Sequence, residues 1–182
     1  MHFQLPTALA LPAVLILGAN SAATAGVPAR LSEGSLAPEF TRNDTRGGLF
    51  SLRGLHGRIV LIDFWASWCT PCLLEIPDLI QLQRQFGPLG LRIVGISMDE
   101  SEARLRRAMG RYPFNYRVVV GDPKLAELYG GIYGLPTQFL VGPDGRVLHA
   151  WTEEVSPFVL KGAIRDAMRP PLNRPATRSE LR

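Results

Sequence analysis

Residues Arg58–Pro77 read RIVLIDFWASWCTPCLLEIP. From Ile59 to Trp65 every position except Asp63 is apolar. A strand with one wet face would alternate, so this continuous run reads as a strand buried on both faces at the centre of a sheet. Beyond Cys72, the residues Leu74, Leu79, Leu82 and Phe86 return at near-helical spacing, which predicts a helix with a kink at Pro77. Cys69 and Cys72 therefore stand where a buried strand hands over to a helix.

That position has chemical meaning. The first turn of a helix leaves backbone N–H groups unpaired and carries the positive end of the macrodipole. A thiol there ionises more readily than free cysteine, whose pKa is about 8.5. Cys69, at the helix entrance, is read as the attacking thiolate. Cys72 is placed to attack a mixed disulfide on Cys69, closing a small ring and releasing the reduced partner. Pro71 is compatible with the helix start. The chain has no other cysteine, which excludes a multi-disulfide scaffold. A zinc site is not expected, because it needs four ligands at paired spacings and this C-x-x-C stands alone. A purely structural bridge across so short a loop would constrain the unfolded chain little.

Outward from this stretch, strand and helix signals alternate. Leu91–Ser97 is a second buried strand, and Ser101–Tyr112 an amphipathic helix with Leu105, Ala108, Met109 and Tyr112 on one side. Arg104, Arg106, Arg107 and Arg111 lie mostly on the other side and read as a solvated face rather than a binding patch. Tyr116–Val120 is a third strand, and Asp122-Pro123 opens a helix by its capping side chain and first-turn proline. Thr137–Val141 and Arg146–Trp151 flank the turn sequence Gly142-Pro143-Asp144-Gly145 as an antiparallel hairpin. Ser156-Pro157 opens a final helix to about Met168 by the same capping logic. Upstream, Phe40 and Leu49–Leu52 around Gly47-Gly48 suggest a short N-terminal hairpin. The order β-β, then βαβαβαββα, predicts an α/β fold with a mixed sheet and helices on both faces.

The 182 residues, 46% hydrophobic and 20% charged, exclude a disordered chain. They leave room for one core of roughly 100–150 residues. The net charge is +4. Four arginines against Glu180 put +3 of it in residues 169–182, leaving +1 for residues 30–168. A nucleic-acid surface on the folded domain is therefore not expected, and the Pro- and Arg-rich tail is expected to be flexible. Residues 1–25 read as an export signal: an apolar stretch from Ala8 to Ala19, then Ala23-Thr24-Ala25 as an A-x-A cleavage pattern. The alternative is an uncleaved anchor in the inner membrane, although the stretch falls short of the about 20 apolar residues of a stable span. Export would place both thiols in an oxidising compartment.

Several motifs together resemble the exported TlpA-like and ResA-like thiol-disulfide oxidoreductases of the thioredoxin superfamily. They are GSLAPEF (Gly34–Phe40), WASWCTPC (Trp65–Cys72), CLLEIP (Cys72–Pro77) and GLPTQFLVGPDGRV (Gly134–Val147). The resemblance spans roughly Gly34 to Ala167. It implies a thioredoxin-like fold with an added N-terminal β-hairpin and a central insertion, which Ser97–Tyr116 fits. It implies that Pro136 is a cis-proline beside the cysteine pair, and that Leu135 offers backbone groups to a substrate strand. Asp63 matches the position whose acid sits under the resolving cysteine, where many TlpA-like chains carry Asn; Glu75 matches the family's glutamate. A carboxyl buried beside a thiol has a raised pKa and can take the Cys72 proton. Trp68 would offer a platform to a partner, whereas Trp65 reads as core. The implied partners are a cysteine-containing exported protein, apocytochrome c among them, and a membrane-embedded thiol electron donor, in the periplasm and with no cofactor. Reduction is the expected direction, although C-x-x-C pairs span roughly −270 to −120 mV.

Two other functions compete. A peroxiredoxin shares the A-P-x-F opening of Ala37–Phe40, but its cysteine follows a T-x-x-C pattern and Ala66 stands where that threonine belongs. A binding module would hold a cysteine peptide beside Pro136 without turnover. His56 and His149 are isolated and read as surface residues.

Overall fold

The computed structural model describes residues 31–169. The expected export segment and the tail beyond Arg169 lie outside the described residues. Thr41–Asn43 (β1) and Leu49–Ser51 (β2) pair antiparallel as the N-terminal hairpin. Leu52, expected in the second strand, instead opens a 3-10 helix at Leu52–Leu55 and is buried there.

The main sheet is built from Ile59–Trp65 (β3), Leu91–Ser97 (β4), Arg117–Val120 (β5), Thr137–Val141 (β6) and Val147–Trp151 (β7), in the order β5-β4-β3-β6-β7. β3 is buried at every position and sits in the middle, as its unbroken apolar run requires. Parallel neighbours need a crossover, which Thr70–Phe86 (α1) supplies between β3 and β4 and Glu102–Arg111 (α2) between β4 and β5. β6 pairs antiparallel with both β3 and β7, the latter across a turn where Gly145 takes φ +79°. The mixed α/β sheet and thioredoxin-like connectivity are as the sequence implied.

Capping works as read: the Asp122 carboxylate accepts from Leu125 N–H before Pro123–Leu128 (α3), and Ser156 Oγ accepts from Val159 N–H before Pro157–Ala167 (α4). α1 is one continuous element across Pro77.

Alternation along β3 divides the core into two layers. Val60, Ile62 and Phe64 pack with Phe40, Phe50, Leu125 and Tyr129. Leu61 and Trp65 face the other way, toward Ile76 and Leu79 of α1 and Leu160 and Ile164 of α4. Asp63 shares the parity of Leu61 and Trp65, so the one polar side chain of the central strand points toward α1.

Candidate active site

Between β3 and α1 the chain makes a tight turn held from the neighbouring strand. Trp65 C=O accepts from Met98 N–H at 2.8 Å. The Asp99 carboxylate accepts from Ser67 N–H at 3.0 Å, from Ser67 Oγ at 2.6 Å and from Ser97 Oγ at 2.9 Å. Cys69 then caps α1 with extended backbone, and its Sγ accepts from Cys72 N–H at 3.2 Å. Cys69 and Cys72 are joined by a disulfide and both are buried. On reduction, the N–H aimed at Cys69 Sγ and the positive end of a 17-residue helix both favour the thiolate. Cys72, inside the first turn, donates its own backbone N–H to this arrangement, and among the described residues no N–H is directed at its sulfur. The two sulfurs thus differ in setting, Cys69 at the helix cap and Cys72 within the first turn.

Behind the pair, Asp63 and Glu75 come together. Asp63 lies opposite Gln138 in the β3–β6 register. Gln138 Nε2 donates to Asp63 Oδ1 at 3.4 Å and to Glu75 Oε2 at 3.1 Å, so one amide bridges both carboxyls. Glu75 Oε1 also accepts from Val155 N–H at 3.4 Å. Glu75 sits one turn past Cys72 on α1 and is only 6% exposed, so it is not a solvated helix residue. Burial pushes the Asp63 carboxyl up to about 7, against the lowering effect of the Gln138 hydrogen bond. Burial, reinforced by the Asp63 charge, pushes Glu75 up to about 7 as well. Burial, and then the same two acids, hold the buried Tyr116 phenol well above its ordinary value. On β4 the residue paired with Asp63 is Gly95, where a Cβ would approach Trp65 Nε1 to 3.0 Å. The missing side chain lets the Trp65 indole and the Tyr116 ring pack closely over β4 beside Asp63.

The front of the site is solvent-facing. Trp68 is 61% exposed, whereas Trp65 is buried. The Leu135–Pro136 peptide is cis. Among the described residues, neither Leu135 N–H nor its C=O takes part in a hydrogen bond, although Thr137 Oγ1 donates to the adjacent Gly134 C=O. A groove of ≈ 460 Å³ runs between Trp68 and Leu135, walled by Met98 and Tyr133. His56 and His149 lie apart from it, paired at the surface with Glu39 and Glu33.

Sequence reasoning missed Gln138 and Asp99. Gln138 follows Thr137 in an ordinary strand, and its partners are 63 and 75 positions away, so no local pattern marks it. An amide inside TQFLV was the only available signal, because a polar group in a fully buried strand needs a partner.

The sequence profile of the AhpC/TSA family matches residues 34–150. The chain belongs to that family. Among AhpC/TSA relatives, the thiol-disulfide oxidoreductase ResA of Bacillus subtilis is 36% identical, over 67% of this chain and 68% of that protein. The thiol:disulfide interchange protein DsbE of Allochromatium vinosum is 30% identical, over 69% of this chain and 74% of its own. The crystal structure of the thioredoxin domain of a Bacteroides vulgatus thiol-disulfide oxidoreductase superposes with a TM-score of 0.70 at 29% identity, over 76% of this chain and 99% of that one. A Chlorobium tepidum thiol:disulfide interchange protein of the thioredoxin family gives 0.69 at 29% identity, over 74% and 97%. This AhpC/TSA member is thus a thiol-disulfide oxidoreductase of ResA and DsbE type, with Cys69 and Cys72 as its cysteine pair.

Proposed function

We propose that the protein is a periplasmic reductase of disulfides in exported proteins, apocytochrome c among them, recharged by a membrane-embedded dithiol donor. The observation that carries the chemistry is the Cys69 sulfur at the helix cap, facing Cys72 N–H, with two near-neutral-pKa acids buried behind the pair. The apolar stretch and A-x-A pattern of residues 1–25 support export.

In this reading Cys69 thiolate attacks one sulfur of the substrate disulfide, forming a mixed disulfide and expelling the other substrate sulfur as a thiolate. Asp63 or Glu75, ionised, takes the proton of Cys72. The Cys72 thiolate attacks Cys69 Sγ, closes the disulfide and expels the second substrate thiolate. Two electrons pass to the substrate, and the donor dithiol later returns them. Gln138 positions both acids, since its amide is the donor common to them. Leu135 presents its free backbone groups to an extended substrate segment, Pro136 borders that segment, and Trp68 forms its platform.

Insulin-disulfide reduction and trapping test the proposal. Cys69→Ser should abolish turnover, and Cys72→Ser should accumulate a mixed disulfide with exported proteins on a non-reducing gel. Retained turnover in Cys69→Ser would refute the nucleophile assignment. Consumption of hydrogen peroxide at a rate exceeding disulfide reduction would favour the peroxiredoxin reading.

A further inference from the structure

The four arginines of α2 differ in what surrounds them. Arg106 pairs with Glu102 one turn earlier at 2.6 Å, and the hollow on its side also includes Asp44, Asp99 and Glu100. Arg104, Arg107 and Arg111 follow one another at helical spacing on a different face and form no ion pair among the described residues. They make one wall of a groove of ≈ 250 Å³ that contains no carboxylate. Its opposite wall is Ser67, Trp68 and Leu73, the residues immediately flanking the cysteine pair.

Trp68 also borders the groove that leads to Leu135. One exposed indole is therefore the ridge between a basic groove and the segment with free backbone groups. A peptide paired at Leu135, with its disulfide at Cys69, would run on past Trp68 and bring its next residues over the arginines. With residues 30–168 carrying only +1, three uncompensated charges in one groove are a local feature rather than a property of the whole surface.

We infer that the α2 groove of Arg104, Arg107 and Arg111 docks the acidic flank of a disulfide-bearing polypeptide, so that substrates with Asp or Glu beside the reacting cysteine are selected. The inference rests on the exchange reaction proposed above and adds its substrate class. Each exposed pair contributes little singly, and three acting together should give about a tenfold preference at low ionic strength.

Two synthetic peptides with the same cysteine pair, one flanked by Asp and Glu and the other by Lys, are compared with neutral 2-hydroxyethyl disulfide. Exchange is followed in both directions on the full chain. The acidic peptide should show a kcat/KM about tenfold above the Lys peptide, and added salt should shrink the difference. The combined Arg104→Gln, Arg107→Gln, Arg111→Gln variant should equalise the peptides without changing the rate on the neutral disulfide; Arg106→Gln should leave the preference intact. Equal rates on both peptides in the unaltered protein would overturn the docking inference while leaving the exchange reaction standing. An acidic preference seen only when dithiol peptides are oxidised would preserve the docking and overturn the reductive direction.

Discussion

Behind Cys69 and Cys72, between β3, β6 and α1, two carboxyls share one amide in a space almost closed to water. In front of them, Trp68, Leu135 and the α2 arginines meet solvent. Charge behaves differently in the two places. In the closed space desolvation is the main cause that pushes both carboxyls up to about 7, and neighbouring acids feel one another. At the rim, water and salt weaken each contact, so several must act together. Rate and pH dependence should therefore follow the rear of the site, and choice of partner the front.

The largest expected effect lies at the rear. Asp63→Asn should slow resolution of the mixed disulfide about 100-fold near neutral pH and leave its formation unchanged. Stopped-flow traces separate the two steps, and an unaltered second step would remove Asp63 from the mechanism. In the unaltered protein that step should accelerate as pH rises through about 7, where the acids ionise. Gln138→Leu should move the acceleration to higher pH, because it removes a hydrogen bond that favours the ionised carboxylates.

A stability effect of a few kcal/mol follows from the same groups. Unfolded, these acids ionise near 3.8 and 4.5; folded, near 7. Between those values the folded chain holds more protons, so the oxidised protein should be most stable at the acid end and lose stability as pH rises toward about 7. Urea titrations across that range should show the decline, and Asp63→Asn should flatten it. A flat profile in the unaltered protein would mean the pocket is wetter than its burial indicates.

The smallest effect belongs to the front. Trp68→Ala should change unfolding free energy by no more than about 0.5 kcal/mol, as expected for an exposed side chain. It should raise KM for a disulfide peptide several-fold while sparing 2-hydroxyethyl disulfide. Equal losses on both substrates would make Trp68 a shield of the sulfurs instead of a platform.

The central strand, the cysteine-bearing helix and the order of elements were legible because each is written locally, in the run Ile59–Trp65, the spacing after Cys72 and the caps Asp122 and Ser156. The Asp63–Glu75 pair was legible as two candidates but not as one unit. What joins them is a cross-strand register and one amide from a distant segment. Likewise the arginines of α2 read as a uniform solvated face, since sequence cannot tell which of them find a carboxylate and which look across at Trp68. The end of β2 was misplaced by the apolar Leu52, which is buried equally well by a helical turn.

The clamp from Asp99 to Ser67 has a mechanical consequence. It ties the turn that carries Trp68 to the end of β4, the same strand that leads into α2 and its arginines. Cys72 and Glu75 instead ride on α1. Because Trp68 directly precedes Cys69, the N-cap of α1, the same clamp sets the exposed indole and the Cys69 sulfur as one unit against the strand that leads to the arginines.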